Sequence, residues 1–82
     1  MSKAFQVGIY SSDQTLYEAE ATSLIVPSAS GYLGVLADHA PLVARLSSGK
    51  ITLRLSTGKT RVIDISAGGF FEVLKNQVTL LL

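Results

Sequence analysis

Apolar residues recur at every second position over much of this chain, and a period of two is the mark of a half-buried β-strand. Phe5, Val7 and Ile9 alternate with smaller or polar neighbours. Ile51, Leu53 and Leu55 alternate with Thr52, Arg54 and Ser56, and Val78, Leu80 and Leu82 continue the pattern to the end. Turn formers fall between the runs: Ser11-Ser12-Asp13, Pro27-Ser28-Ala29-Ser30-Gly31, Ser47-Ser48-Gly49, Ser56-Thr57-Gly58, Gly68-Gly69 and Lys75-Asn76-Gln77. Strands punctuated every ~8–12 residues read as an all-β sandwich or barrel, and no segment carries a convincing amphipathic helix. The strand between Gly49 and Gly58 pairs with Arg61 to Ile65 as a hairpin closed by Ser56-Thr57-Gly58-Lys59. Gly68-Gly69 marks a bend or close backbone approach, and Pro27 and Pro41 belong at strand ends or edges, because proline cannot donate to a ladder.

With 82 residues the chain makes one domain, residues 1–82. A domain this small hides only ~60–65% of the surface its unfolded chain exposes. It has no cysteine and one histidine, so neither a disulfide nor a Cys/His metal site is available to staple it. Apolar packing must hold it, and 48% hydrophobic residues supply the material. Seven basic residues stand against six acidic ones. Lys3, Arg45, Lys50, Arg54, Lys59, Arg61 and Lys75 are scattered and form no basic stripe of the kind that binds nucleic acid. The six aromatics, none of them tryptophan, argue against base-stacking platforms. The N-terminus lacks a signal peptide's apolar core, and no apolar run approaches the ~20 residues that span a bilayer.

Three constellations invite a chemical reading. Gly58-Lys59-Thr60 suggests a phosphate loop, but that motif needs a glycine where Leu53 stands and a helix after the threonine, and a β-branched strand follows instead. A hairpin turn is the better reading. Glu18 and Glu20 share one face of a strand, ~7 Å apart along it. An acid/base pair would have that spacing, but nothing around them supplies a substrate site, and a solvated strand face is favoured. His39 is the only histidine. No Cys or second His exists to hold a metal with it, and no G-x-S-x-G elbow pairs a particular serine with it. On residues alone His39 is a loop histidine bonded to backbone. A small enzyme or ligand-binding barrel using His39 and nearby serines stands as the alternative.

Gly31-Tyr32-Leu33-Gly34-Val35-Leu36-Ala37-Asp38-His39-Ala40-Pro41-Leu42 is similar to the G-x-L-G-I-L-x-x-H-A-P-L signature of the ε subunit of F-type ATP synthases. Ser66-Ala67-Gly68-Gly69-Phe70-Phe71-Glu72-Val73, followed by Asn76, Val78 and Thr79, resembles the family's S-G-G-F-x-E-V-x-x-N-x-V-T strand pair. Tyr17-Glu18-Ala19-Glu20-Ala21, leading to Leu24-Ile25-Val26-Pro27, is a weaker third block. The blocks fall in family order over nearly the whole chain.

That resemblance implies an antiparallel β-sandwich of two packed sheets with about ten short strands. It implies a non-catalytic rotor subunit, without cofactor, that joins the γ subunit to the c-ring on the cytoplasmic or stromal face of the energy-transducing membrane. It would be one copy within a hetero-oligomer, neither inserted in the membrane nor bound to nucleic acid. Tyr32, Asp38 and His39 would form the loop that meets the c-ring. Tyr32 departs from the family's frequent glutamate, and Ala37-Asp38 replaces its frequent Pro-Gly. Val62, Phe70, Leu74 and Leu81 are the expected γ-facing residues, because they are apolar residues that break the alternation. Gly31, Gly34, Pro41, Gly68 and Gly69 are expected to hold special backbone geometry. Most ε subunits continue into a two-helix domain that inhibits ATP hydrolysis. The sequence stops at Leu82, which implies either a short subunit, unable to latch its enzyme that way, or a truncated one.

Overall fold

The computed structural model describes residues 3–66 and 68–82; Ala67 of the second block lies outside them. Eight strands follow in order: β1 Phe5–Tyr10, β2 Thr15–Ser28, β3 Gly31–Val35, β4 Leu42–Leu46, β5 Gly49–Leu55, β6 Thr60–Ile65, β7 Gly69–Leu74 and β8 Gln77–Leu81. The sandwich is as expected, but with eight strands among the described residues where about ten were expected. One reason is β2, which runs unbroken for 14 residues.

β2 belongs to both layers. Its first half pairs with β1, from Phe5↔Ala21 to Tyr10↔Thr15. Its second half pairs with β3 on one side and β5 on the other, through Ile25↔Gly34 and Ile25↔Thr52. A register shift between Ala21 and Ser23 marks the crossing, as expected where a strand changes sheets at a bulge. One layer therefore reads β4-β7-β8-β1-β2, with β1 and β8 parallel, and the other β3-β2-β5-β6. Pro27 lies inside β2, just past its last β5 pair, where that flank needs no N–H. Pro41 immediately precedes β4.

The two layers enclose a core built from the alternating residues. Phe5, Val7, Ile9, Ile51, Leu53, Phe71, Val73, Val78 and Leu80 are buried with Ala21, Leu24 and Val26 of β2. The β5–β6 hairpin closes through Gly58 N–H to Leu55 O at 2.9 Å and Leu55 N–H to Lys59 O at 2.7 Å. Lys75 and Asn76, at φ 49° and 60°, make a two-residue turn between β7 and β8. Both sit in the left-handed region that the tightest hairpins require.

The glycines separate into two groups. A Cβ on Gly69 would collide with the Leu81 carbonyl oxygen across the β7–β8 pair, and one on Gly68 would come within 2.7 Å of the Leu46 carbonyl oxygen. Close approach is therefore a physical requirement there. Gly34 does not share it: its Cβ would meet open space on the outer face of β3, with no left-handed φ. The expectation of special geometry at Gly34 is corrected accordingly. Gly69→Val should lower stability by about 2 kcal/mol or more, as backbone-displacing overpacking does. Gly34→Val should stay within ~1 kcal/mol of the parent or exceed it, since valine suits an exposed strand better than glycine. Thermal melts of the two variants check both; equal losses would contradict this geometry.

Candidate functional site

The end loop after β3 is built by turn chemistry. His39 N–H donates to Leu36 O at 3.2 Å, and Asp38 sits at φ 64°, a region aspartate tolerates. Asp38 N–H donates to Asn76 Oδ1 at 2.6 Å, and Asn76 Nδ2 returns a bond to Asp38 Oδ1 at 2.9 Å. Lys3 Nζ reaches the other carboxylate oxygen at 2.7 Å. The loop is thereby clasped to the β7–β8 turn and to the N-terminal segment. The lysine, then the asparagine, holds the Asp38 carboxyl below its ordinary value. The His39 ring donates from Nδ1 to Ala40 O at 2.7 Å, so the histidine is bonded to backbone, with no serine bonded to it among the described residues.

Tyr32 is not part of this cluster. It lies near the start of β3, opposite Pro27, whereas Asp38 lies beyond the strand's far end. Three strand steps alone, at ~3.3 Å each, put them about 10 Å apart. The Tyr32 hydroxyl accepts a long bond, 3.4 Å, from Lys50 N–H, and the residue is 64% exposed. The structure thus brings Asp38 and His39 together and leaves Tyr32 at the other end. Spacing along the sequence hid this because a strand of only five residues intervenes.

The expected apolar contact residues also divide. Phe70, Leu74 and Leu81 are exposed on the outer face of β7 and β8, while Val62 is exposed on β6 of the opposite layer. Val43 of β4, 69% exposed, joins the first group. Ile25, opposite Thr52, which in turn opposes Val62, joins the second. Both were missed because they lie inside apolar runs, Leu42-Val43-Ala44 and Leu24-Ile25-Val26, where alternation gives no signal. On the first face a shallow hollow of about 180 Å³ is lined by Val43, Phe70, Phe71, Glu72, Thr79 and Leu81. Arg45 lies over the Phe70 ring at 5.8 Å, a cation–π distance.

Glu18 and Glu20 share that outer face and are exposed. Glu18 accepts from the Tyr10 hydroxyl at 2.9 Å, which raises the phenol's pKa, and Glu20 from Gln6 Nε2 at 3.3 Å. Lys59 lies in the exposed β5–β6 turn, with a strand and no helix after it. Among the described residues no three His, Cys, Asp or Glu side chains gather as a metal would require.

The fold is that of a small two-layer β-sandwich. More narrowly, the chain belongs to the family described as ATP synthase, Delta/Epsilon chain, beta-sandwich domain, whose sequence profile matches residues 4–82. It is 41% identical over 81 residues to the ATP synthase epsilon chain of Dichelobacter nodosus, covering 99% of this chain and 56% of that one. It is 43% identical over 79 residues to the epsilon chain of Chlorobaculum tepidum, covering 96% and 89%. It thus spans little more than half of the first relative and most of the second. Among solved structures it is similar to a chain of the Euglena gracilis mitochondrial ATP synthase OSCP/F1/c-ring assembly. There the TM-score is 0.82 at 26% identity over 92% of this chain and 48% of that one. A chain of the Tetrahymena thermophila central stalk/c-ring structure shares the fold, with a TM-score of 0.72 at 12% identity over 98% and 63%.

The clasp carries a pH signature. A carboxyl whose pKa is depressed by folding contributes stability above its unfolded pKa and loses it as the pH falls through the folded value. Asp38 should therefore titrate below the ordinary aspartate range, and Lys3→Ala should move it back up. An NMR titration of the Asp38 carboxyl in both chains measures this; a normal value in the parent would remove the clasp.

Proposed function

We propose that the chain acts as a non-catalytic central-stalk subunit of an F-type ATP synthase, joining the γ subunit to the c-ring. Membership of the delta/epsilon sandwich family over residues 4–82 is the observation that carries this reading. The Dichelobacter and Chlorobaculum relatives are named ATP synthase epsilon chain, and the Euglena structure holds F1 and a c-ring. Location would be peripheral, on the cytoplasmic or stromal face of the membrane.

Within that reading γ binds the β4-β7-β8 face. Phe70, Leu81 and Val43 are each at least half exposed on a rigid sheet, and an apolar patch of this kind is unfavourable in water unless a partner covers it. Leu74 extends the same patch, whereas Val62 stands on the other layer. The ring meets the end that carries Tyr32, where a phenol replaces the family's frequent acid and is free to pack and share a hydrogen bond. Asp38, already taken up by Lys3 and Asn76, and His39 lie beyond the far end of β3 and serve the domain's own loop.

Binding measured to isolated γ and to a γ–c-ring complex tests this. Phe70→Asp should weaken γ binding at least tenfold, the scale of losing one well-packed anchor. Tyr32→Ala should leave γ binding unchanged and weaken the additional affinity for the ring complex. Loss of γ binding in Val62→Asp with none in Phe70→Asp would move γ to the other layer.

A further inference from the structure

The outer face of β4, β7, β8 and β1 has an acidic group at its apolar centre. Cross-strand pairing sets out its rows. One row reads Arg45, Phe70, Leu81, Tyr10 and the next Val43, Glu72, Thr79, Gly8, Glu18. Glu72 therefore stands between Val43 and Thr79, directly beside Phe70 and Leu81, and forms part of the wall of the hollow.

Its state differs from that of the other five acids. Asp38 and Asp64 are paired with lysines, Glu18 and Glu20 accept from Tyr10 and Gln6, and Asp13 accepts from the Ser11 hydroxyl. Among the described acidic residues, Glu72 alone has a side chain with neither a hydrogen bond nor an ion pair. Arg45, diagonal to Glu72 across the β4–β7 pair, lies over the Phe70 ring instead. Thr79 and Gly8 leave the neighbouring positions low. The Tyr10 ring lies down over Gly8, where a Cβ would strike it.

A partner that covers the apolar centre must also cover Glu72. Burying a carboxylate without a counter-charge is strongly unfavourable, and a positioned cation turns that cost into specificity. Three glutamates, 18, 20 and 72, against one arginine give the face an acidic balance that favours the same partner charge. We infer that the segment docking on this face is an apolar protein surface that places one lysine or arginine over Thr79, its aliphatic stem on Leu81 and Val43 and its cation on Glu72. This rests on the reading that γ binds the β4-β7-β8 face, and it adds the charge the partner must carry there.

The test is affinity for the isolated γ subunit at low and high salt, with the full chain and three variants. Glu72 is exposed, so Glu72→Gln and Glu72→Lys should melt as the parent does, which a thermal scan verifies. Glu72→Gln should weaken binding about fivefold at low salt and flatten the salt dependence. Glu72→Lys should weaken it at least fiftyfold. Leu81→Asp serves as the marker of the face itself. Loss in Leu81→Asp with Glu72→Gln unchanged in affinity and salt slope would keep the face and overturn the cation. Parent-like binding in all three would overturn the face, and the inference with it.

Discussion

Everything in this domain hangs on β2. A single strand of 14 residues carries the chain from one layer to the other, and the bulge between Ala21 and Ser23 is where the crossing happens. Ala21, Leu24 and Val26 are fully buried at that crossing, so the shared strand runs through the core. The rest of the topology follows. β1 and β8 extend one layer from β2's first half, β3 and β5 flank its second half, and β4 returns to it at Ser28↔Leu46. A chain without cysteine gains from such an arrangement, because one continuous backbone does the cross-linking that disulfides supply in many small folds.

The shared strand also explains why the outer faces are so different from the core. Each strand gives one set of alternate residues to the interior, and in β7 the outward set is apolar too, except for Glu72. Phe71 and Val73 go in, while Phe70 and Leu74 go out. Outward apolar residues weaken solubility unless something covers them. Their placement on β7 and β8, in the middle of a paired sheet and away from its edges, presents a firm surface. On the proposed reading, a coupling element that transmits torque needs firmness more than adaptability. The loops, by contrast, are tied inward: the Asp38–Asn76–Lys3 clasp binds the post-β3 loop to the protein's own turn and tail.

Alternation makes β1, β5 and β8 legible in the sequence, and the β5–β6 hairpin with its Gly58 turn is legible from its punctuation. What stayed hidden has physical causes. Continuous apolar runs conceal which residue faces out, so Val43 and Ile25 escaped notice. A strand that changes layers at a bulge keeps no single alternation along its length, so the 14 residues of β2 did not stand out as one strand. Residues close in sequence were read as one loop, yet the extended backbone of β3 carries Tyr32 away from Asp38. The glycine pair was recognised as a close approach, while Gly34, in an equally conspicuous motif, has open space around it. A motif's likeness to a family signature does not say which of its glycines is sterically required.

The central claim is that the β4-β7-β8 face, and not the opposite layer, meets the central-stalk partner. A photo-crosslinking residue placed at position 70 and, separately, at position 62 in the assembled complex tests this most directly. The account predicts a covalent adduct with γ from position 70 and none from position 62. An adduct with γ from position 62 and none from position 70 would contradict it.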